Sequence, residues 1–207
     1  MLITAIKQMH DKKRNYIYID GEIAFVLYKG DLRKYALIEG EQMDSDVYET
    51  IISETLNKRA YLRTVHLLEK KDYSVYQLKC KLKDSYYPER VIEYVIERLS
   101  EYGFVDDKRF AYNYIESCSK SKSRREIMRK LFEKGIDRRV VENVYAEYDA
   151  DSDGNKEIEL INKILIKRHF FEKPHDHKEC AKQYKYLLSK GFSSSDISKV
   201  LKLDITL

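Results

Sequence analysis

Residues 103–136 read GFVDDKRFAYNYIESCSKSKSRREIMRKLFEKGI, and this stretch decides the fold. It parses as a helix, a short basic connection, a second helix and a glycine stop. Asp106 stands where an N-cap carboxylate accepts free backbone N–H groups, and Val105 and Phe110 flank it as a hydrophobic staple. Ala111, Tyr114 and Ile115 continue the apolar stripe at spacings of three and four. In the second helix Ile127, Met128, Leu131 and Phe132 share one face, and Gly135 can take the left-handed turn that ends it. The other face is basic: between Cys118 and Lys134 seven Lys or Arg stand against two Glu, a local charge of +5.

The same grammar returns on either side. Leu78, Leu82, Tyr86, Val91, Ile92 and Val95 keep the offsets of Ile127, Leu131, Gly135, Val140, Val141 and Val144. In a third copy Leu187, Gly191, Ile197 and Val200 fall on matching offsets, with Phe192 in place of Ile136. Two helix starts share a cap, Ile136-Asp137 with Val141 and Phe192-Ser193 with Ile197. The copies lie 49 and then 56 residues apart, so the third carries an insertion. Repeats of this size stack as helical units that bury their apolar faces on one another.

Upstream, Ser74 with Gln77 forms a capping box that opens a helix bearing Leu78 and Leu82. Pro88 starts the next, with Val91, Ile92, Val95, Ile96 and Leu99 inward and Glu93, Glu97 and Arg98 outward. Val47, Ile51, Ile52 and Leu56, then Tyr61, Val65 and Leu68, mark two earlier amphipathic segments. Residues 1–43 read differently. Tyr16–Asp20 and Glu22–Leu27 are β-branched and aromatic, and Asp20-Gly21 between them suits a two-residue hairpin turn. Lys29-Gly30-Asp31 and Glu39-Gly40-Glu41 read as turns around a short segment, Leu32–Ile38.

Composition agrees with a helical chain: 207 residues, 36% charged, 7 Gly and 2 Pro. The net charge of +4 is uneven, since residues 1–58 carry −2 and the remainder +6. That excess suits an acidic partner such as nucleic acid or an acidic protein face. No apolar run reaches membrane-span length and the N-terminus lacks a signal peptide's apolar core. Three widely spaced cysteines, Cys80, Cys118 and Cys180, suit reduced thiols in a cytoplasm.

The chain resembles the RecX family of bacterial regulators of the RecA recombinase. The most specific part is Gly103-Phe104-Val105-Asp106-Asp107-Lys108-Arg109-Phe110-Ala111, close to the family's glycine–aromatic–Asp-Asp-x-Arg-Phe-Ala signature. Around it stand Ser74-x-x-Gln77-Leu78-x-x-Lys81-Leu82, Lys134-Gly135-Ile136 and Tyr186 through Phe192. The N-terminal part, with Tyr18-Ile19-Asp20-Gly21-Glu22, looks like the β-rich extension of some Gram-positive members. Two departures stand out, Asp84-Ser85-Tyr86-Tyr87 where many members have a glycine, and His175 to His177 in the third repeat's inserted loop.

The resemblance implies a mainly α protein of three tandem three-helix repeats in a curved elongated monomer, with a small hairpin-containing extension. Residues 1–57 would form the extension and a leading helix, with repeats at 58–103, 104–149 and 150–207. It implies a cytoplasmic regulator that lodges in the groove of RecA–single-stranded DNA filaments and modulates, by expectation inhibits, recombinase, ATPase and coprotease activity in DNA repair and the SOS response. The alternative reading is a stand-alone nucleic-acid-binding repeat protein without a recombinase partner.

The candidate contact surface is the basic cluster Lys120, Lys122, Arg124, Arg125, Arg129, Lys130 and Lys134, with a weaker group of Lys182, Lys185 and Lys190. The ordinary explanation of such a cluster is a solvated helix face. Tyr184 and Tyr186 interleave the weaker group and could stack on bases. The run Asp149-Ala150-Asp151-Ser152-Asp153-Gly154 begins like a calcium loop, but its twelfth position is Leu160 instead of Glu. It reads as an acidic link between repeats. His175, His177 and Cys180, with His169 as a possible fourth, have a spacing compatible with zinc but read as polar loop. No phosphate-binding glycine loop, nucleophile elbow or HExxH pattern is present, so no catalysis, metal or cofactor is expected.

Overall fold

Asp20 and Gly21 both adopt positive φ, 51° and 92°, which is the two-residue turn their sequence announces. It joins strands β2 (Arg14–Ile19) and β3 (Glu22–Tyr28). The hairpin is not alone. A further strand, β1 (Ile3–Gln8), pairs antiparallel with the other edge of β2, giving the order β1-β2-β3. Ile3, Ile17, Ile19, Phe25 and Leu27 point to one face and are buried there. That face supplies the cover that two strands alone would lack. The computed structural model describes residues 1–150, 156–172 and 177–202. The described chain divides into two compact units, residues 1–106 and 107–207.

In the first unit, Lys29-Gly30-Asp31 does not form the expected turn; it opens helix α1 (Lys29–Lys34). The reason lies in Asp31, whose Oδ2 accepts the Tyr28 N–H at 2.8 Å and so satisfies a free donor at the helix start. Helix α2 (Ser45–Thr50) runs through a π-helical segment (Ile51–Leu56) into α3 (Asn57–Leu68). The two amphipathic segments read from the sequence are thus one continuous helical run, and residue 57 lies inside it. Asp44 caps that run, accepting the Asp46 N–H. Helices α4 (Val75–Lys83) and α5 (Glu89–Glu101) complete the unit. The Ser74–Gln77 capping box is formed in both directions, at 3.2 Å each way. All five inward positions of α5 are buried. The sheet's inner face, the π segment, α3, α4, α5 and Val105 make one apolar core.

The second unit holds two clusters. Helices α6 (Asp107–Cys118), α7 (Arg124–Glu133) and α8 (Arg138–Ala150) enclose Ala111, Ile115, Ile127, Leu131, Ile136, Val141 and Val144, with Phe110 packed against them. Helices α9 (Lys156–Lys167), α10 (His177–Ser189) and α11 (Ser194–Leu201), with a short 3-10 turn at Phe170–Glu172, enclose Leu160, Ile161, Leu165, Leu187, Phe192 and Ile197.

The repeat is visible in the backbone. After the middle helix of each copy, one residue turns left-handed: Tyr86 at φ 62°, Gly135 at 77° and Gly191 at 89°. The next N–H then reaches back five residues, Tyr87 to Leu82 O at 3.2 Å, Ile136 to Leu131 O at 3.1 Å and Phe192 to Leu187 O at 3.2 Å. Tyr86 therefore takes a glycine's conformation. The Tyr16 ring meets it edge-on, 4.9 Å between centroids.

Asp31 also ties α1 to α3. Arg59 donates to both carboxylate oxygens, at 2.5 and 2.9 Å, and lies over the Tyr28 ring at 4.8 Å. Burial pushes the Asp31 carboxyl up, but the Arg59 guanidinium and the Tyr28 N–H outweigh it and hold it below the usual carboxylate range. Arg59→Ala should cost about 2 kcal/mol at pH 7, discounted from a fully buried pair because the guanidinium is partly exposed. A depressed carboxylate stabilises above its unfolded pKa and loses that contribution as pH falls through the folded value. The gap between wild type and variant in urea midpoint should therefore narrow below about pH 4. An equal gap at pH 7 and pH 3 would contradict this assignment.

Candidate functional site

Helix α7 carries four of the ten candidate cations, Arg124, Arg125, Arg129 and Lys130, and its geometry sorts them onto different sides. Ile127 and Leu131 are buried, so residues on either flank of that stripe face different surroundings. Arg125, Met128, Arg129 and Phe132 look toward the end of α10, where Leu188, Ser189, Lys190 and Gly191 complete an open groove. Met128, Phe132 and Leu188 give it an apolar floor, and Arg125, Arg129 and Lys190 make it cationic, with Glu126 the one carboxylate in the lining. The fold thus brings together members of both basic groups, 61 to 65 positions apart in sequence.

Most of the cations, inside the groove and outside it, have local partners. Lys122 and Lys134 lie over the Tyr114 ring, 5.9 and 5.4 Å from its centroid. Lys130 pairs with Glu133 at 2.8 Å, and Arg129 pairs with the same carboxylate, which these cations hold below its usual range. Lys182 is 3.5 Å from Glu179 and Lys190 is 5.5 Å from the Tyr186 ring centroid. Lys120, Arg125 and Lys185 are exposed and make no ion pair among the described residues.

Arg124 is a packing residue. Its guanidinium pairs with Asp149 and sits 4.3 Å over the centroid of the buried Tyr145 ring. Its backbone N–H donates to Glu157 Oε1 at 2.6 Å. Burial pushes the Glu157 carboxyl up against the pull of that N–H. Arg124 therefore knits α7, α8 and α9, and only part of its charge is offered to a partner.

Beside it, Ser123 does two jobs that the sequence reading missed. It caps α7 by accepting the Glu126 N–H at 3.2 Å, and its hydroxyl donates to Lys190 O at 2.6 Å. The signal was present: Ser123-x-x-Glu126 repeats Ser74-x-x-Gln77 at the 49-residue offset. A Cβ on Gly191 would stand 2.9 Å from Ser123 Oγ and 3.2 Å from Arg125 Cβ. The groove wall is closed by backbone approach, and Gly191 permits it.

Of the calcium-like run, Asp149 is held by Arg124, and residues 151–154 lie outside the described residues. His175 and Asp176 of the zinc-like spacing lie outside them too. Cys180 packs on the third cluster and His169 pairs with Glu172 at 2.8 Å. Among the described residues no group of three His, Cys, Asp or Glu is placed to hold a metal, and no helix is long and apolar enough to cross a membrane.

Two outcomes follow. Gly191→Ala should lower stability by about 2 kcal/mol, from left-handed strain plus the overlap at Ser123, whereas Gly103→Ala meets only the strain, about 1 kcal/mol. Arg124→Ala should cost about 1 kcal/mol and Arg125→Ala less than about 0.5 kcal/mol, although both are exposed arginines on one turn. Urea titration of the four variants checks both orderings, and a reversal of either sinks it.

Comparison with known proteins finds three three-helix domains along the chain. Models of the first, second and third three-helix domains of RecX match residues 60–99, 106–144 and 155–201. The chain is 30% identical over 204 residues to the regulatory protein RecX of Caldanaerobacter subterraneus subsp. tengcongensis, covering 98% of this chain and all of that one. It is 30% identical over 204 residues to its counterpart in Clostridium acetobutylicum, covering 97% and 94%. Both are named as regulatory proteins. A crystal structure of a regulatory protein RecX superposes with a TM-score of 0.64 at 25% identity, over 97% of this chain and 98% of that one. The RecX structure from Lactobacillus salivarius shares the fold, with a TM-score of 0.61 over 71% of this chain and 95% of that one. Three domain matches in order over the helical repeats, and identity running nearly end to end, make the chain a member of the RecX family.

Proposed function

We propose that this chain is a non-enzymatic, cytoplasmic regulator that binds RecA–single-stranded DNA filaments in their groove and restrains RecA's recombinase, ATPase and coprotease activities. It acts as a monomer without a cofactor. Family membership supports the partner, and the groove of Arg125, Arg129 and Lys190 over Met128, Phe132 and Leu188 is the observation that carries the contact surface. Cations above an apolar floor suit a partner that offers carboxylate or phosphate beside an apolar side chain, so charge steers and burial holds. Lys120, Lys182 and Lys185 extend the cationic field along the exposed sides of the same unit, and Lys122, Lys130 and Lys134 add to it. Arg124 serves the fold more than the partner. The N-terminal sheet shares a core with the first repeat and serves chiefly to cover it. The chain is organised as 1–57, 58–103, 104–149 and 150–207, with the first boundary falling inside the α2–α3 helical run.

The test is binding to single-stranded DNA with and without cognate RecA and ATP, followed by RecA's DNA-dependent ATPase. Filament-dependent binding with lowered ATPase is expected. Arg125→Glu with Lys190→Glu should weaken it at least about tenfold while circular dichroism stays unchanged. Equal binding to bare DNA and an unaltered ATPase would favour the alternative, a nucleic-acid-binding repeat protein with no recombinase partner.

A further inference from the structure

The first unit carries a second open groove, formed by the start of α3, the outer side of α5 and the turn after it. Four rings line it, Tyr61, Tyr94, Tyr102 and Phe104, together with the cations Lys58 and Arg98. Two uncharged polar side chains complete the lining, which contains no carboxylate. Tyr94, Tyr102 and Phe104 remain 43%, 58% and 52% exposed. Such a cluster of open rings is unusual on a surface with nothing to bind. Gly103, at φ 69°, turns the chain between Tyr102 and Phe104, so the two rings flank a fixed backbone corner, 6.5 Å apart and inclined at 60°. The corner is pinned because the Phe104 N–H donates to Leu99 O at 2.9 Å. The Arg98 guanidinium stands 5.2 Å from the Tyr102 ring centroid, and its ion pair with Glu101 is a loose 3.8 Å.

We propose that this groove is a stacking site for the bases of single-stranded nucleic acid. Flat rings accept the face of any base, and cations interleaved with them take the phosphates that accompany it. An uncharged ligand would leave Lys58 and Arg98 unused. An acidic peptide would leave most of the ring faces unused. The site makes no use of RecA, so it can stand or fall apart from the filament reading.

The chain contains no tryptophan, so Phe104→Trp installs a unique fluorescent reporter in the groove itself. Titration with a dA oligomer, with no RecA present, should quench its emission saturably, and an abasic oligomer of equal length and charge should not. With two phosphates neutralised, the log affinity should fall against log salt with a slope of about −1.4. Adding Tyr102→Ala should weaken binding roughly tenfold. As a check free of substitutions, photo-crosslinking of the unaltered protein to a 4-thiothymidine oligomer should label the peptides carrying Tyr94 or Tyr102. Quenching by the abasic oligomer equal to that by dA, absence of quenching, or crosslinks confined to other peptides would overturn the proposal.

Discussion

One backbone constraint recurs through the molecule, and the helical packing depends on it. At the end of each repeat's middle helix a single left-handed residue lets an N–H reach the carbonyl five positions back. That bond satisfies a helix-end acceptor and throws the chain into the next helix at a set angle. Leu82, Leu131 and Leu187 are at once the acceptors of these bonds and fully buried core residues. Helix termination and core formation are therefore one event. Tyr86 shows that the geometry outranks the residue, since the bond forms in the first repeat without a glycine.

Much of this was legible in the sequence because it is local. Asp20-Gly21, Ser74 with Gln77, Pro88 and Gly135 each declare a turn or cap within a few residues, and each is found where it was expected. What stayed hidden depends on distant partners. Strand β1 offers only Ile3, Ala5 and Ile6 as apolar residues, a weak pattern that becomes a strand because β2 supplies its ladder. Gly30 looked like a turn until Asp31 met the Tyr28 N–H and Arg59. Nothing in Ile51–Leu56 announces a π turn.

The candidate surface was readable as a count but not as a face. Seven cations in seventeen residues are plain in the sequence. That Arg124 is bound to Asp149, Lys122 and Lys134 lie over Tyr114, and Arg125 and Arg129 line one groove with Lys190 is set by packing between helices. Charge in one dimension says only that cations are plentiful; the fold says which of them share a face. The ring-lined groove of the first unit was less visible still, since Tyr61 reads as part of an amphipathic segment and Tyr94 and Tyr102 reach it from a different helix and its end.

The Ser123 hydroxyl and the Lys190 carbonyl are 67 residues apart, and their contact carries a consequence for how the second unit is made. Helices and their end bonds are local and form on fast timescales, whereas closing a loop of that length awaits both clusters being present. The groove wall therefore exists only where the third repeat is packed on the second. A chain in which the two clusters have not yet packed would hold its basic residues in helices yet lack the wall that gathers Arg125, Arg129 and Lys190 around one groove.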